Sequence, residues 1–257
     1  MHRVRIINEY GWTFEQDIPS SWAELSADQV LFIAPRIMSM RPDIANVKDE
    51  ILAKLLRIRN KHLRRINIGQ MNGLHQSVDF IYKEIDLICN PLPRIRRRLI
   101  SYRGPKEKLK DLRFGQFVIA DTYYVRYLRR RQQEDLDMMV ASLYRRGKRF
   151  DATAVENGAR RLSGISQEKK LAILMFYTGC RKYINGRFPL LFPKTESKEK
   201  KKKKGGGSWA GVLVSLVGDN PAEKERVENL DLYFALSYLE NQVRQANELR
   251  EKIEKRK

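Results

Sequence analysis

The chain has 257 residues, 42% of them hydrophobic, which is enough to bury a core and excludes wholesale disorder. Its 51 Lys and Arg against 31 Asp and Glu leave a net charge of +20, which favours anionic partners and salt-sensitive association. Two cysteines, Cys89 and Cys180, exclude a disulfide framework, and no CxxC or Cys/His spacing suggests a metal site.

Both cysteines fall in apolar stretches, where a free thiol is expected to act as a small core residue in a reducing compartment. Residues 1–7 lack the apolar run of a signal peptide, and no stretch approaches the roughly 18 apolar residues of a membrane span. The expectation is a soluble, cytoplasmic protein. Its charge is uneven: residues 1–193 carry +16, residues 194–204 carry +5, and residues 205–257 carry −1.

In chain order, residues 3–7 and 12–15 are β-branched or aromatic around a polar turn with Gly11, which predicts a small N-terminal β-hairpin. Ser21 with Glu24 has capping-box spacing, and Ser26 begins a second capped run interrupted near Pro35. Ile44, Val47, Ile51, Leu55, Ile58 and His62 recur at helical steps, predicting one helix over 43–66 with His62 packed on its apolar face. A shorter helix around 70–88 ends at Asn90-Pro91-Leu92-Pro93.

Residues 94–110 hold eight Lys and Arg and one acid, Glu107. Apolar stripes then predict helices over 114–128 and 135–144, followed by a helix over 166–184 with Ser166 as cap and Glu168 in its first turn. Residues 187–193, with two prolines, read as an extended apolar tail. Five lysines and three glycines at 200–207 read as a flexible linker. Beyond it, a short helix from Trp209 and a long helix opening near Pro221 form a helical hairpin. The long helix is striped by Leu232, Leu236, Leu239, Val243, Ala246 and Ile253.

The fold class expected is therefore mainly α: a multi-helix bundle with a small N-terminal β-hairpin, and a C-terminal helical hairpin after a flexible linker. The divisions are 1–193, a basic helical domain, 194–207, the linker, and 208–257, the hairpin. There is no phosphate loop, no GxGxxG after a strand, no GxSxG and no HExxH, so neither a catalytic residue nor a cofactor is assigned. Asp121 falls on an apolar stripe, where a carboxylate needs a partner, and an arginine is expected to supply it.

Candidate anion- or nucleic-acid-binding residues are Arg96, Arg97, Arg98, Arg103, Lys106, Lys108, Lys110, Arg129, Arg130, Arg131, Arg145 and Arg146. Guanidinium forks suit phosphate, and aromatic neighbours such as Tyr102 suit bases. The same clusters also fit a solvated face paired with acids of neighbouring helices. A hairpin of about 50 residues is a poor core by itself. Trp209, Leu213, Leu232, Leu236, Leu239 and Val243 are therefore candidate partner-binding residues, docking on the large domain, on another copy or on a different protein.

Residues 112–124 (Leu112-Arg113-Phe114-Gly115-Gln116-Phe117-Val118-Ile119-Ala120-Asp121-Thr122-Tyr123-Tyr124) belong to a wider pattern. Leu143-Tyr144-Arg145-Arg146, Arg187-Phe188-Pro189-Leu190-Leu191-Phe192 and Ser208-Trp209-Ala210-Gly211-Val212-Leu213 before a long helix complete it. Together they resemble uncharacterised proteins encoded in tail modules of phages and prophage-like elements. The resemblance carries no catalytic residues. It implies a tail assembly chaperone or minor structural component that binds a tail protein, in the host cytoplasm or the virion. Binding of nucleic acid through the basic clusters is the alternative.

Overall fold

The computed structural model describes residues 1–7, 13–38, 44–63, 65–147, 149–193, 209–218 and 220–255. The linker expected at 194–207 and the turn at Gly11 lie outside them. The chain is mainly helical, with a two-stranded N-terminal hairpin and C-terminal helices, as expected. Its contacts divide into two units, Met1–Leu92 with Ser166–Gly179, and Pro93–Ile165 with Cys180–Lys257. The contacts of the C-terminal helices fall with those of residues 93–165.

In the first unit, β1 (His2–Ile7) pairs antiparallel with β2 (Thr13–Ile18), placing His2 opposite Ile18 and Ile6 opposite Phe14. Ile6 and Ile18 bury one face of the ribbon, which packs on helices that follow in sequence. Glu24 takes its cap role one residue early: its carboxylate accepts from the Ser20 N–H at 2.7 Å, while Ser21 makes no side-chain cap bond. Helix α1 (Ala27–Met38) has the expected cap at Ser26, whose hydroxyl accepts from Gln29 N–H while the Gln29 side chain accepts from Ser26 N–H. It runs through Pro35, because a proline in the last turn removes one backbone bond without ending the helix.

The helix expected over 43–66 is two. α2 (Ile44–Leu56) stops where Arg57 turns left-handed at φ 56°, with Ile58 N–H bonded to Ala53 O and Arg57 N–H to Lys54 O. That is a Schellman stop with arginine where glycine is usual. The chain resumes in α3 (Asn60–Leu63), α4 (Ile68–Ser77) and α5 (Phe80–Lys83). The break leaves His62 exposed, against expectation. Cys89 is also exposed, in the non-helical stretch before Pro91, whereas Cys180 is buried as expected.

The second unit begins with a hairpin absent from the sequence reading, β3 (Arg94–Arg97) and β4 (Ile100–Arg103). Next come α6 (Phe114–Arg130), α7 (Gln133–Leu143), α8 (Val155–Leu162) and α9 (Gln167–Arg187). Helix α9 contributes residues to Gly179 to the first unit and from Cys180 to the second. Hydrogen bonds from its own backbone and from Ser166 hold Glu168 below the usual carboxylate range, as suits a first turn.

The C-terminal helices are α10 (Trp209–Val217), α11 (Lys224–Glu228) and α12 (Leu232–Glu254). The long helix thus starts at Leu232 and not near Pro221. Its cap is Asp231, whose carboxylate accepts from Tyr233 and Phe234 N–H at 3.0 and 3.1 Å. Phe114 N–H to Leu230 O and Leu232 N–H to Leu112 O close a short antiparallel bridge, which joins the start of α12 to the start of α6.

Candidate binding surfaces

The β3–β4 hairpin is built from arginine on one side and core on the other. Directly opposed residues share a face. Ile95 and Tyr102, opposite each other, are 2% and 3% exposed. Arg94, Arg96 and Arg103 are exposed, on the outward face with Ser101. The two-residue tip is Arg98-Leu99, with Arg98 at φ 52° and Leu99 fully exposed. No acid pairs with Arg94, Arg96 or Arg98 among the described residues.

The structure brings only part of the predicted basic set together. Arg103 exchanges backbone bonds with Arg145 at 2.8 and 3.0 Å, and its guanidinium lies 3.7 Å from Asp111. Burial pulls the Arg145 guanidinium below the ordinary arginine range; Asp111 opposes this, and Arg113 and Arg103 add to it. Arg97 points elsewhere, with its guanidinium laid over Gly164, where a Cβ would collide with it. Lys110 pairs with Glu107 at 2.6 Å, Lys108 lies over the Tyr183 ring, and the Lys106 backbone N–H donates to Asp111.

Arg129, Arg130 and Arg131 close the C-terminal end of α6, and Arg131 lies over the Tyr127 ring. Cations there complement the helix dipole. Across the 17 residues of α6 they are about 25 Å along the axis from Arg113, so they form no patch with the hairpin cluster.

The predicted partner-binding residues divide in the same way. Leu232 and Leu236 are fully buried within the second unit, which removes them as a free docking surface. Trp209 packs edge-on against Phe117 at 5.1 Å, and its indole N–H donates to Asp121 at 2.9 Å. Arg181 binds the other Asp121 oxygen and is the arginine partner the stripe required. Leu213, Leu239 and Val243 are half-buried. Phe234, Tyr238, Leu249 and Ile253 of α12 are exposed by 50% or more.

Comparison with known protein families, curated proteins and solved structures finds no match to this chain. The surfaces therefore stand on their own geometry.

Cavities open in the second unit. One, of about 610 Å³, is lined by Glu134, Asp135, Asp137, Glu156, Arg126 and Arg160 among others. Arg126 pairs with one Asp135 oxygen at 3.1 Å, and the other oxygen is buried with no hydrogen-bond partner among the described residues. No group of three or more His, Cys, Asp or Glu among the described residues is placed to hold a metal. The second cavity, of about 320 Å³, is lined by Tyr102, Arg145, Arg146, Arg149, Phe150 and Arg161 among others. Arg161 escaped the sequence reading because it stands on α8, outside the arginine runs. Among the described residues, no helix is long and apolar enough to cross a membrane.

Proposed function

We propose that the chain is a non-enzymatic assembly protein of the phage-tail kind, which holds a protein partner along helix α12. What carries the reading is the continuity of one apolar row. Leu232 and Leu236 bury its first turns, Leu239 and Val243 are half-buried, and Ala246, Leu249 and Ile253 continue it where every side chain from Arg244 to Lys255 is exposed. Positions 232, 239, 246 and 253 follow at intervals of seven, the spacing with which one helix meets another. A free helical end of this length is marginal in water, and a partner helix on the row stabilises it. The resemblance to tail-module proteins supplies the class of partner, a tail component.

Co-purification of the full chain with a phage tail protein tests the reading. Loss of the complex on combining Leu249→Asp with Ile253→Asp supports it. A complex indifferent to both changes sinks it, and a dimer lost with the same changes assigns the row to a second copy.

The hairpin favours a second reading, binding of nucleic acid. Unpaired Arg94, Arg96 and Arg98 on a two-stranded ribbon with Leu99 at its tip suit a phosphate backbone and a groove. Affinity for a generic duplex that falls steeply with salt, and falls further on replacing Arg94, Arg96 and Arg98 with Ala, supports it. No binding at low salt removes it.

A further inference from the structure

We propose that the arginine-lined cavity on the inward side of the β3–β4 hairpin binds a phosphate monoester of nucleotide size. It rests on neither reading above, since it uses neither α12 nor the outward face of the ribbon.

The starting observation is Tyr102. Register turns its side chain inward, it is 3% exposed, and its hydroxyl is buried with no hydrogen-bond partner among the described residues. A buried hydroxyl without a partner is costly, and a ligand oxygen that accepts its proton removes the cost. The cavity that Tyr102 lines holds about 320 Å³, against roughly 30 Å³ for one water, so a bare ion leaves most of it empty. Small-molecule sites begin at about 300 Å³.

The charge of the lining selects the ligand. Arg145, Arg146, Arg149 and Arg161 face one acid, Asp151. The Asp151 carboxylate is already engaged, accepting from the Thr153 N–H at 2.9 Å and the Thr153 hydroxyl at 2.6 Å. Among the described residues Arg146, Arg149 and Arg161 form no ion pair. The guanidinium forks of these arginines match the several oxygens of a phosphate dianion, which accepts bidentate bonds. The buried Phe150 ring, 6% exposed, lines the same cavity and offers an apolar wall for the organic group. A free nucleotide and the terminal phosphate of a nucleic-acid chain share this chemistry.

The test is calorimetric titration of the full chain with adenosine monophosphate, adenosine and inorganic phosphate, then with a short single strand carrying or lacking a 5′-phosphate. Adenosine monophosphate binds and adenosine does not. Tyr102→Phe weakens binding about tenfold, and Arg149→Ala or Arg161→Ala by about ten- to a hundredfold, as expected for hydrogen bonds to a charged group. Tyr102→Phe leaves the melting temperature of the free protein unchanged or higher, because it removes an unsatisfied hydroxyl, so lost affinity is not lost folding. Tighter binding of the phosphorylated strand than of the mononucleotide identifies a chain terminus, and the reverse order a free nucleotide. The proposal is overturned by no nucleotide binding at millimolar concentration, by equal binding of adenosine, by binding of inorganic phosphate alone, or by affinity indifferent to Tyr102→Phe.

Discussion

The indole N–H of Trp209 donates to the carboxylate of Asp121 at 2.9 Å, across 88 residues of sequence. Asp121 is 2% exposed and also holds Arg181, so one carboxylate on α6 ties down both α9 and α10. Trp209→Phe keeps an aromatic ring against Phe117 and removes the donor together with part of the indole's contact area. It is expected to cost about 1–3 kcal/mol, the usual penalty for depriving a buried polar group of a partner. Asp121→Ala, which removes the buried carboxylate that both Trp209 and Arg181 bind, costs more, about 3–5 kcal/mol. Urea unfolding measures both, and a Trp209→Phe protein as stable as the parent shows that α10 does not dock on α6 in solution.

Arg98 occupies the first position of a two-residue hairpin turn at φ 52°, a conformation that suits glycine. Arg98→Gly is expected to raise stability by about 1 kcal/mol, the strain of a side chain in that region. If the hairpin binds a duplex, the same change lowers the slope of log affinity against log salt by about 0.9, one phosphate contact. Stability and binding thus move in opposite directions, which ordinary damage to the hairpin does not produce. Parallel melting curves and salt titrations read the two effects.

Long apolar stripes were legible: α6, α7 and α9 lie close to their expected places, and the need of Asp121 for an arginine followed from its position on the α6 stripe. The β3–β4 hairpin was not. Each strand buries one side chain, Ile95 or Tyr102, so alternation is too short to register, and its turn has neither glycine nor asparagine. The stop of α2 at Arg57 escaped for the same reason, a left-handed residue without the usual glycine. Contacts between distant segments are equally invisible in a linear pattern: α9 reads as one helix but serves both units, and α10 and α12 close on α6 from far along the chain. For the cavity, the arginine runs were visible, but Arg161 and the inward turn of Tyr102 depend on tertiary placement.

Glu228 is 9% exposed and packs beside Gly115, and burial pushes its carboxyl above the usual range, with Lys224 opposing at 3.9 Å. The sign follows from linkage. A carboxyl with a raised folded pKa binds its proton more tightly folded than unfolded, so stability falls as pH rises from its unfolded value of 4.5 to the folded one. Above that window the loss is complete, and below it absent. Glu228→Gln is therefore expected to raise the urea midpoint at pH 7 and leave it unchanged at pH 3. An equal effect at both pH values would assign the change to packing against Gly115 instead.

The exposed end of α12 offers the clearest separation of folding from function. Leu249 and Ile253 are 60% and 58% exposed, so replacing both with Asp removes little buried surface. At such positions the expected change in stability is within about 0.5 kcal/mol each, whereas a charge in the middle of a helix–helix seam disrupts binding. Circular dichroism should therefore show an unchanged melting temperature while partner capture is lost. Changing Leu232 or Leu236 in the same row is the contrasting case. Both are fully buried, and Leu→Ala there is expected to cost about 2–5 kcal/mol whether or not a partner is present. A row in which the buried half controls folding and the exposed half controls capture is what a helix shared between a domain and its partner requires.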